Sequence, residues 1–389
     1  MRSDNILLAA LAAAAPTVSA AATCTSHTIK VTTSANNRVV FAPSLDITTL
    51  SGIESLLGSG AGVLGQLAGF VPTGGTYDIA AKYCSPAPGS PASRSKQYQL
   101  LLHGVPYDSS YWFGIPGNPD GTEKYSWVDY ATSQGYPVIT IDNLGSGASS
   151  KANPVTEVQQ PLQTAILHDI TTKLRNGQLL FAPKAEKVVF VGHSLGAVVG
   201  NGVATKYPAD FDSMIMTGYS NTLLQAVPGL LLTAAIPAQV QNPARFGSLL
   251  PSYLAFGSPV GKVNSYYAEE GSYSPDLAAY DFAHQDTLTV GQIITAFSGL
   301  QRADQYKGDV LVLTGAKDAF FCGPTGTRTL GPQSCGVGAD SIPAKSKSFF
   351  PSANFEYYLA PNTSHATTLH YSTLDSLKRA HDFLTANGY

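Results

Sequence analysis

From about residue 76 onward, short unbroken apolar runs alternate with stretches in which apolar side chains recur every three or four positions. The unbroken runs are Gln99-Leu100-Leu101-Leu102, Val138 to Ile141, Val188 to Val191, Met214 to Met216, Val310 to Leu313 and Phe355 to Leu359. Their length and apolarity on both faces predict buried strands. Tyr125 to Ser133 carries Trp127, Val128 and Ala131 at helical spacing, with Gly135 as a stop. A longer helix is predicted from Pro161, with Leu162, Ile166, Leu167, Ile170 and Leu174 on one face and Gly177 at its end. The closing helix runs from a Ser372 cap through Leu374, Leu377 and Leu384 to Gly388. Ahead of all these, His27 to Phe41 and Thr76 to Tyr83 read as an antiparallel pair. The pattern predicts an α/β class: a mostly parallel central sheet with helices on both faces.

Two stretches break the rhythm. Asn221 to Arg302 is rich in leucine, proline and, later, tyrosine, and reads as an inserted helical cap. Pro228 and Pro237 interrupt its leading apolar run, which argues against a membrane helix. Ile47 to Val71 reads as a second, irregular apolar insertion. The expected organisation is a leader at 1–22, a first part of the core at 23–220, the cap at 221–302 and the rest of the core at 303–389. The leader has Arg2, an apolar run from Ile6 to Ala15, and small residues from Ser19 to Ala22. That order matches a secretory signal cleaved near Ala20 or Ala22, so the protein is expected to be secreted without stable membrane insertion.

Composition removes other classes. Lys and Arg total 23 against 26 Asp and Glu, a net charge of −3, so no basic field is available for nucleic acid. The four cysteines form no C-x-x-C and have no histidine pair at ligand spacing, which argues against a zinc site. In an oxidising compartment they are expected to pair as Cys24–Cys84 and Cys322–Cys335, each tying a Gly/Pro-rich loop to the frame. The sequon Asn362-Thr363-Ser364 is expected to be vacant, because a glycan there would crowd the neighbouring histidine.

The chemistry centres on Ser194. It lies in Gly192-His193-Ser194-Leu195-Gly196, after an apolar strand and before a small-residue helix. A serine nucleophile must stand clear of the sheet on a sharp turn, and glycine two positions to either side permits that turn. The base must be a histidine. His365 lies on the loop after the last strand, with His370 further along as the other candidate; His193 is expected to point to the other side of the turn. Asp318, just past the Val310–Leu313 strand, fits the orienting acid, with Asp340 as the fallback. The oxyanion donors are expected to be the backbone N–H groups of Leu195 and of Val105, in the loop His103-Gly104-Val105-Pro106. Trp112 and Phe113 either wall the pocket or pack in the core.

Together with Asp142-Asn143-Leu144-Gly145-Ser146-Gly147-Ala148-Ser149 and Gly315-Ala316-Lys317-Asp318, these motifs resemble the α/β-hydrolase superfamily, and with the leader its secreted fungal members. The resemblance covers about 76–389 apart from the cap. It departs at Asn143, where the family usually has Arg, and at Ser364, where it usually has Gly. It implies a triad of Ser194, Asp318 and His365 and acyl transfer with no metal or cofactor. The expected activity is cleavage of a carboxylic ester of a hydrophobic small molecule. The alternatives are a tailoring enzyme of secondary metabolism using the triad for thioester hydrolysis, condensation or lyase chemistry, and a non-catalytic small-molecule binder.

Overall fold

The computed structural model describes residues 22–40, 67–122, 124–221, 226–267, 269–322 and 334–389. Residues 1–21 of the expected leader at 1–22, and most of the Ile47–Val71 stretch, lie outside them.

Eleven strands are described: β1 (Cys24–Val40), β2 (Leu67–Cys84), β3 (Gln97–Leu102), β4 (Val138–Ile141), β5 (Lys187–His193), β6 (Ser213–Thr217), β7 (Ala235–Pro237), β8 (Tyr253–Phe256), β9 (Leu288–Thr289), β10 (Asp309–Gly315) and β11 (Asn354–Ala360). Eight form one sheet in the order β1-β2-β4-β3-β5-β6-β10-β11. The β1–β2 and β2–β4 pairs are antiparallel, and the pairs from β4 to β11 are parallel. The register explains the site. Leu102 is opposite Gly192, His193 opposite Thr217, Leu313 opposite Thr217, and Gly315 opposite Ala360. The carboxyl ends of β3, β5, β6, β10 and β11 therefore open on one rim, where ligands of open α/β sheets bind.

The helices that cover the sheet are α1 (Trp127–Ser133), α2 (Gln160–Asn176), α3 (Leu195–Lys206) and, at the end of the chain, Thr373–Ala386. Side chains alternate across a sheet, so Gln99 and its partner Val189 share one face, and Leu100 and Phe190 the other. His381 and Trp127 both bond to Gln99 on the first face, whereas Phe190 meets α3 at Gly200 on the second. A side chain at Gly200 would run into the Phe190 ring, which is why this helix is built from small residues. Helix α2 starts with Pro161 in its first turn and ends at Gly177 with φ 71°, as its sequence predicts.

The chain between β6 and β10 forms the insertion. It contains α4 (Ala226–Leu232), α5 (Pro259–Tyr266), α6 (Pro275–His284) and α7 (Val290–Thr295), so the closing helix is α8 (Thr373–Ala386). The insertion is not purely helical: β7, β8 and β9 make a small antiparallel sheet within it. These strands, of two to four residues, are too short to show an alternating pattern.

Three local expectations are corrected. Residues 67–71 are not irregular but begin β2, which pairs with β1 as far as Leu67 despite Pro72 and the Gly74-Gly75 pair. Leu374 is half-exposed, leaving Leu377, Ala380, Phe383 and Leu384 as the buried stripe of α8. Ser372 occupies the N-cap position but caps nothing, because its hydroxyl is bonded to that of Thr363.

Disulfides join Cys24 to Cys84, directly opposite each other on β1 and β2, and Cys322 to Cys335. Among the described residues no helix is long and apolar enough to cross a membrane.

Candidate active site

Strand β5 ends at His193 and the chain turns at once into α3. Ser194 sits at that turn with φ 52° and ψ −119°, a conformation that L-residues rarely adopt and that lifts its side chain off the sheet. Gly192 and Gly196 make the turn possible. A Cβ on Gly192 would stand 2.7 Å from the Cα of Ala197, and one on Gly196 would collide with the carbonyl oxygens of Leu102 and His103. The Ser194 N–H donates to the Thr217 carbonyl at 2.9 Å, tying the turn to β6.

The loop after β11 brings His365 over this serine. Its Nε2 is 2.8 Å from the Ser194 Oγ, and its Nδ1 is 3.1 Å from Asp318 Oδ2. His365 and Asp318 are fully buried, and Ser194 is 3% exposed. The carboxylate has further donors: Thr314 Oγ1 bonds to Oδ2, and the Phe320 and Phe321 N–H groups reach Oδ1 at 3.0 and 2.9 Å. Burial pushes the Asp318 carboxyl up, but the His365 ring and these donors outweigh it and hold the group below the usual carboxylate range. The 315–322 turn is braced by the Cys322–Cys335 bridge. The Cys322 N–H donates to the Asp318 carbonyl and the Cys335 N–H to that of Ala316. The sequence reading missed Thr314 and the two phenylalanine amides; a threonine closing an apolar strand four residues before the acid was the available signal.

His370 is fully buried six residues from Ser364 and accepts the Ser364 N–H, so it supports the loop and does not reach Ser194. Asp340 lies on an exposed turn away from His365. His193 is closer to the base than expected: its ring stacks on Tyr111 and lies 5.1 Å from the ring of His365. Burial, followed by the neighbouring imidazole, pushes His193 well below the ordinary histidine value, so it stays neutral.

The loop carrying Val105 lies against the serine, and a Cβ on Gly104 would stand 2.6 Å from Ser194 Cβ. His103 orients it. Its Nε2 accepts the Asn143 N–H at 3.0 Å, leaving Nδ1–H to donate to the Gly104 carbonyl at 2.7 Å. The Asn143 amide also donates to the His103 carbonyl, so hydrogen bonds stand where the family's Arg would sit. Ser364 is likewise used, its Oγ accepting the Ala319 N–H at 3.3 Å. The N–H groups of Val105 and Leu195 have no protein acceptor among the described residues.

Val105, Ser194 and Leu195 line one cavity of about 100 Å³. Its other walls are mostly apolar, with Val198 and Phe320 from the core and Leu230, Leu288, Ile293 and Phe297 from the insertion, which also contributes the polar Gln292. Trp112 and Phe113 are absent from this lining. Trp112 packs edge-on against Trp127, and Phe113 lies under the Lys82 ammonium. Among the described residues no group of three His, Cys, Asp or Glu side chains could hold a metal ion.

Residues 99–373 match the model of the alpha/beta hydrolase family. The chain belongs to that family. No curated protein sequence matches this alpha/beta hydrolase. Among solved structures it is similar to a thermophilic esterase from Thermogutta terrifontis with malate bound, at 15% identity and a TM-score of 0.50, covering 80% of this chain and 94% of that one. It is also similar to a monoacylglycerol lipase from Paleococcus ferrophilus, at 16% identity and a TM-score of 0.50, covering 77% and 96%. At this identity the two likenesses establish the shared fold.

Proposed function

We propose that this protein is a secreted serine hydrolase that cleaves a carboxylic ester of a hydrophobic small molecule. The observation that carries the reading is the continuous chain from Asp318 Oδ2 through both His365 nitrogens to Ser194 Oγ, at 3.1 and 2.8 Å, beside an apolar cavity.

Ser194 Oγ attacks the acyl carbonyl while its proton passes to His365 Nε2. Asp318 holds Nδ1–H, fixes the tautomer and stabilises the imidazolium. The N–H groups of Val105 and Leu195 receive the oxyanion. The intermediate collapses by breaking the bond to the alcohol oxygen, which takes the proton from His365. Water then attacks the acyl-serine, giving up a proton to His365; the bond from the acyl carbon to Ser194 Oγ breaks, Oγ takes that proton back from Nε2, and the acid leaves.

The cavity volume bears on the acyl group. An apolar cavity of ~150 Å³ holds a benzene ring, so about 100 Å³ favours a short acyl chain. The two disulfides fit an oxidising compartment, in keeping with secretion.

The test is turnover of p-nitrophenyl acetate, butyrate and palmitate by wild type and Ser194→Ala. The expected result is turnover of the short esters and a loss of ~10⁴-fold or more in kcat for the variant. Equal rates for the two proteins would remove Ser194 from the chemistry. A wild type that accepts a serine-directed label yet cleaves no ester would favour the tailoring reaction.

A further inference from the structure

Tyr266, the last residue of α5, reaches both halves of the proposed acyl-transfer machinery. Its hydroxyl donates to the Val105 carbonyl at 2.6 Å, on the residue whose N–H faces the oxyanion. Its own carbonyl accepts the N–H of Ala366, next in the chain after His365, at 2.8 Å. Its ring meets the His365 imidazole edge to face, with centroids 4.9 Å apart and planes at 88°. The side chain is fully buried. Burial, followed by the Asp281 charge, raises the phenol well above its ordinary value, so the hydroxyl remains a donor.

The segment around Tyr266 is anchored from behind. Lys262 Nζ lies 2.9 Å from Asp281 Oδ1 and also donates to the Asp281 carbonyl at 3.0 Å, with both side chains 1% exposed. The Tyr267 hydroxyl donates to Asp281 Oδ2 at 2.8 Å, and that of Tyr107, two residues beyond Val105, at 3.3 Å. One carboxylate on α6 thus holds the end of α5 and the Val105 loop together. A buried ion pair contributes little net stability compared with apolar packing, but it holds its neighbours in a defined geometry.

We propose that Tyr266 is a positioning residue: it fixes Val105 and His365 relative to each other, and so sets the oxyanion donor and the base at their working separation over Ser194. This rests on the acyl-transfer reading above. Displacing a reacting group by ~1 Å can cost about 10²-fold in rate without changing what binds, so the effect belongs in kcat.

The experiment compares Tyr266→Phe, Tyr266→Leu and Tyr253→Phe with wild type in kcat and KM for p-nitrophenyl butyrate, in the rate of labelling by a fluorophosphonate, and in thermal midpoint. Tyr253 is the matched control: a buried tyrosine of the insertion whose hydroxyl donates to a core carbonyl, that of Ala152, at 2.7 Å. Tyr266→Phe keeps the ring against His365 and loses the bond to Val105. Its kcat and labelling rate are expected to fall about tenfold with KM within about twofold. Tyr266→Leu loses both contacts and is expected to fall about a hundredfold, and Tyr253→Phe to stay within about twofold of wild type. A Tyr266→Phe variant with wild-type kcat overturns the proposal. So does a Tyr253→Phe variant that loses as much as Tyr266→Phe, which would make the effect one of seating the insertion in general. A wild type that neither labels nor turns over ester is a different failure, because it contradicts the acyl-transfer reading itself.

Discussion

His370 grips the backbone on both sides of His365: its Nε2 accepts the Ser364 N–H at 3.2 Å, and its Nδ1 donates to the Ala366 carbonyl at 2.9 Å. Burial pushes this histidine down to about 4, which keeps it in the neutral tautomer that both bonds require. His370→Phe removes both bonds from the loop that carries the base. Its kcat is expected to fall about tenfold or more with KM little changed, and its stability by about 2 kcal/mol for the two unpaired backbone groups. Steady-state kinetics and urea unfolding check this; a variant with wild-type kcat contradicts it.

Asp318→Asn preserves the shape of the carboxylate but not its charge, and its amide can hold the imidazole in the wrong tautomer. The expected loss in kcat is on the order of 10³ to 10⁴. Since Thr314, Phe320 and Phe321 donate to the two oxygens, the variant also points an NH₂ at a donor, and a modest drop in thermal midpoint accompanies the kinetic loss. An Asn variant within tenfold of wild-type kcat removes Asp318 from the triad.

Phe297 lines both the cavity beside Ser194 and a second hollow of about 440 Å³, which Arg38, Gln160 and Lys206 also line. Phe297→Ala is expected to join the two and extend the acyl site. Relative kcat/KM for p-nitrophenyl octanoate over butyrate is predicted to rise about tenfold or more, because each buried methylene contributes about 0.8 kcal/mol once there is room for it. An unchanged ratio would show that the acyl chain leaves by another direction.

His381 predicts an acid sensitivity remote from the active site. Its Nδ1 donates to the Leu377 carbonyl at 2.8 Å and its Nε2 accepts from Gln99, whose oxygen in turn accepts the Trp127 indole N–H. Burial pushes its value down to about 4, against roughly 6.5 in the unfolded chain. The unfolded state therefore takes up the proton first. This residue's contribution is fully present above pH ~6.5, declines as pH falls towards 4, and levels off below that. The limiting change is about 3 kcal/mol. Urea unfolding at pH 7, 5.5 and 4.5 should show a flatter dependence for His381→Phe than for wild type, although the variant is less stable at pH 7 because Gln99 loses a partner. Identical slopes would contradict the assignment.

The placement of the candidate triad was largely legible in the sequence because its signals are local. Ser194 needs glycine on both sides of one turn, and Asp318 and the histidine loop follow apolar strands that end on the same rim. Contacts made across the fold were not legible. Tyr266 is 161 residues from Val105 and 99 from His365, and nothing in its neighbourhood distinguishes it from Tyr267 or Tyr273. Pro72, Gly74 and Gly75 hid the first half of β2, which stays extended through pairing with β1 against its own turn propensity. The fate of Ser372 shows the same limit: the residue type marks a cap, but the partner of its hydroxyl was decided by a loop nine residues away.

The central claim is that Ser194 is the nucleophile and His365 its base. The most direct measurement is intact-protein and peptide mass spectrometry after reaction with a fluorophosphonate, on wild type and His365→Ala. One adduct per chain on the peptide containing Ser194, formed at least about a thousandfold more slowly without the imidazole, is the predicted result. An adduct on another residue, or labelling of Ser194 that does not depend on His365, would contradict it.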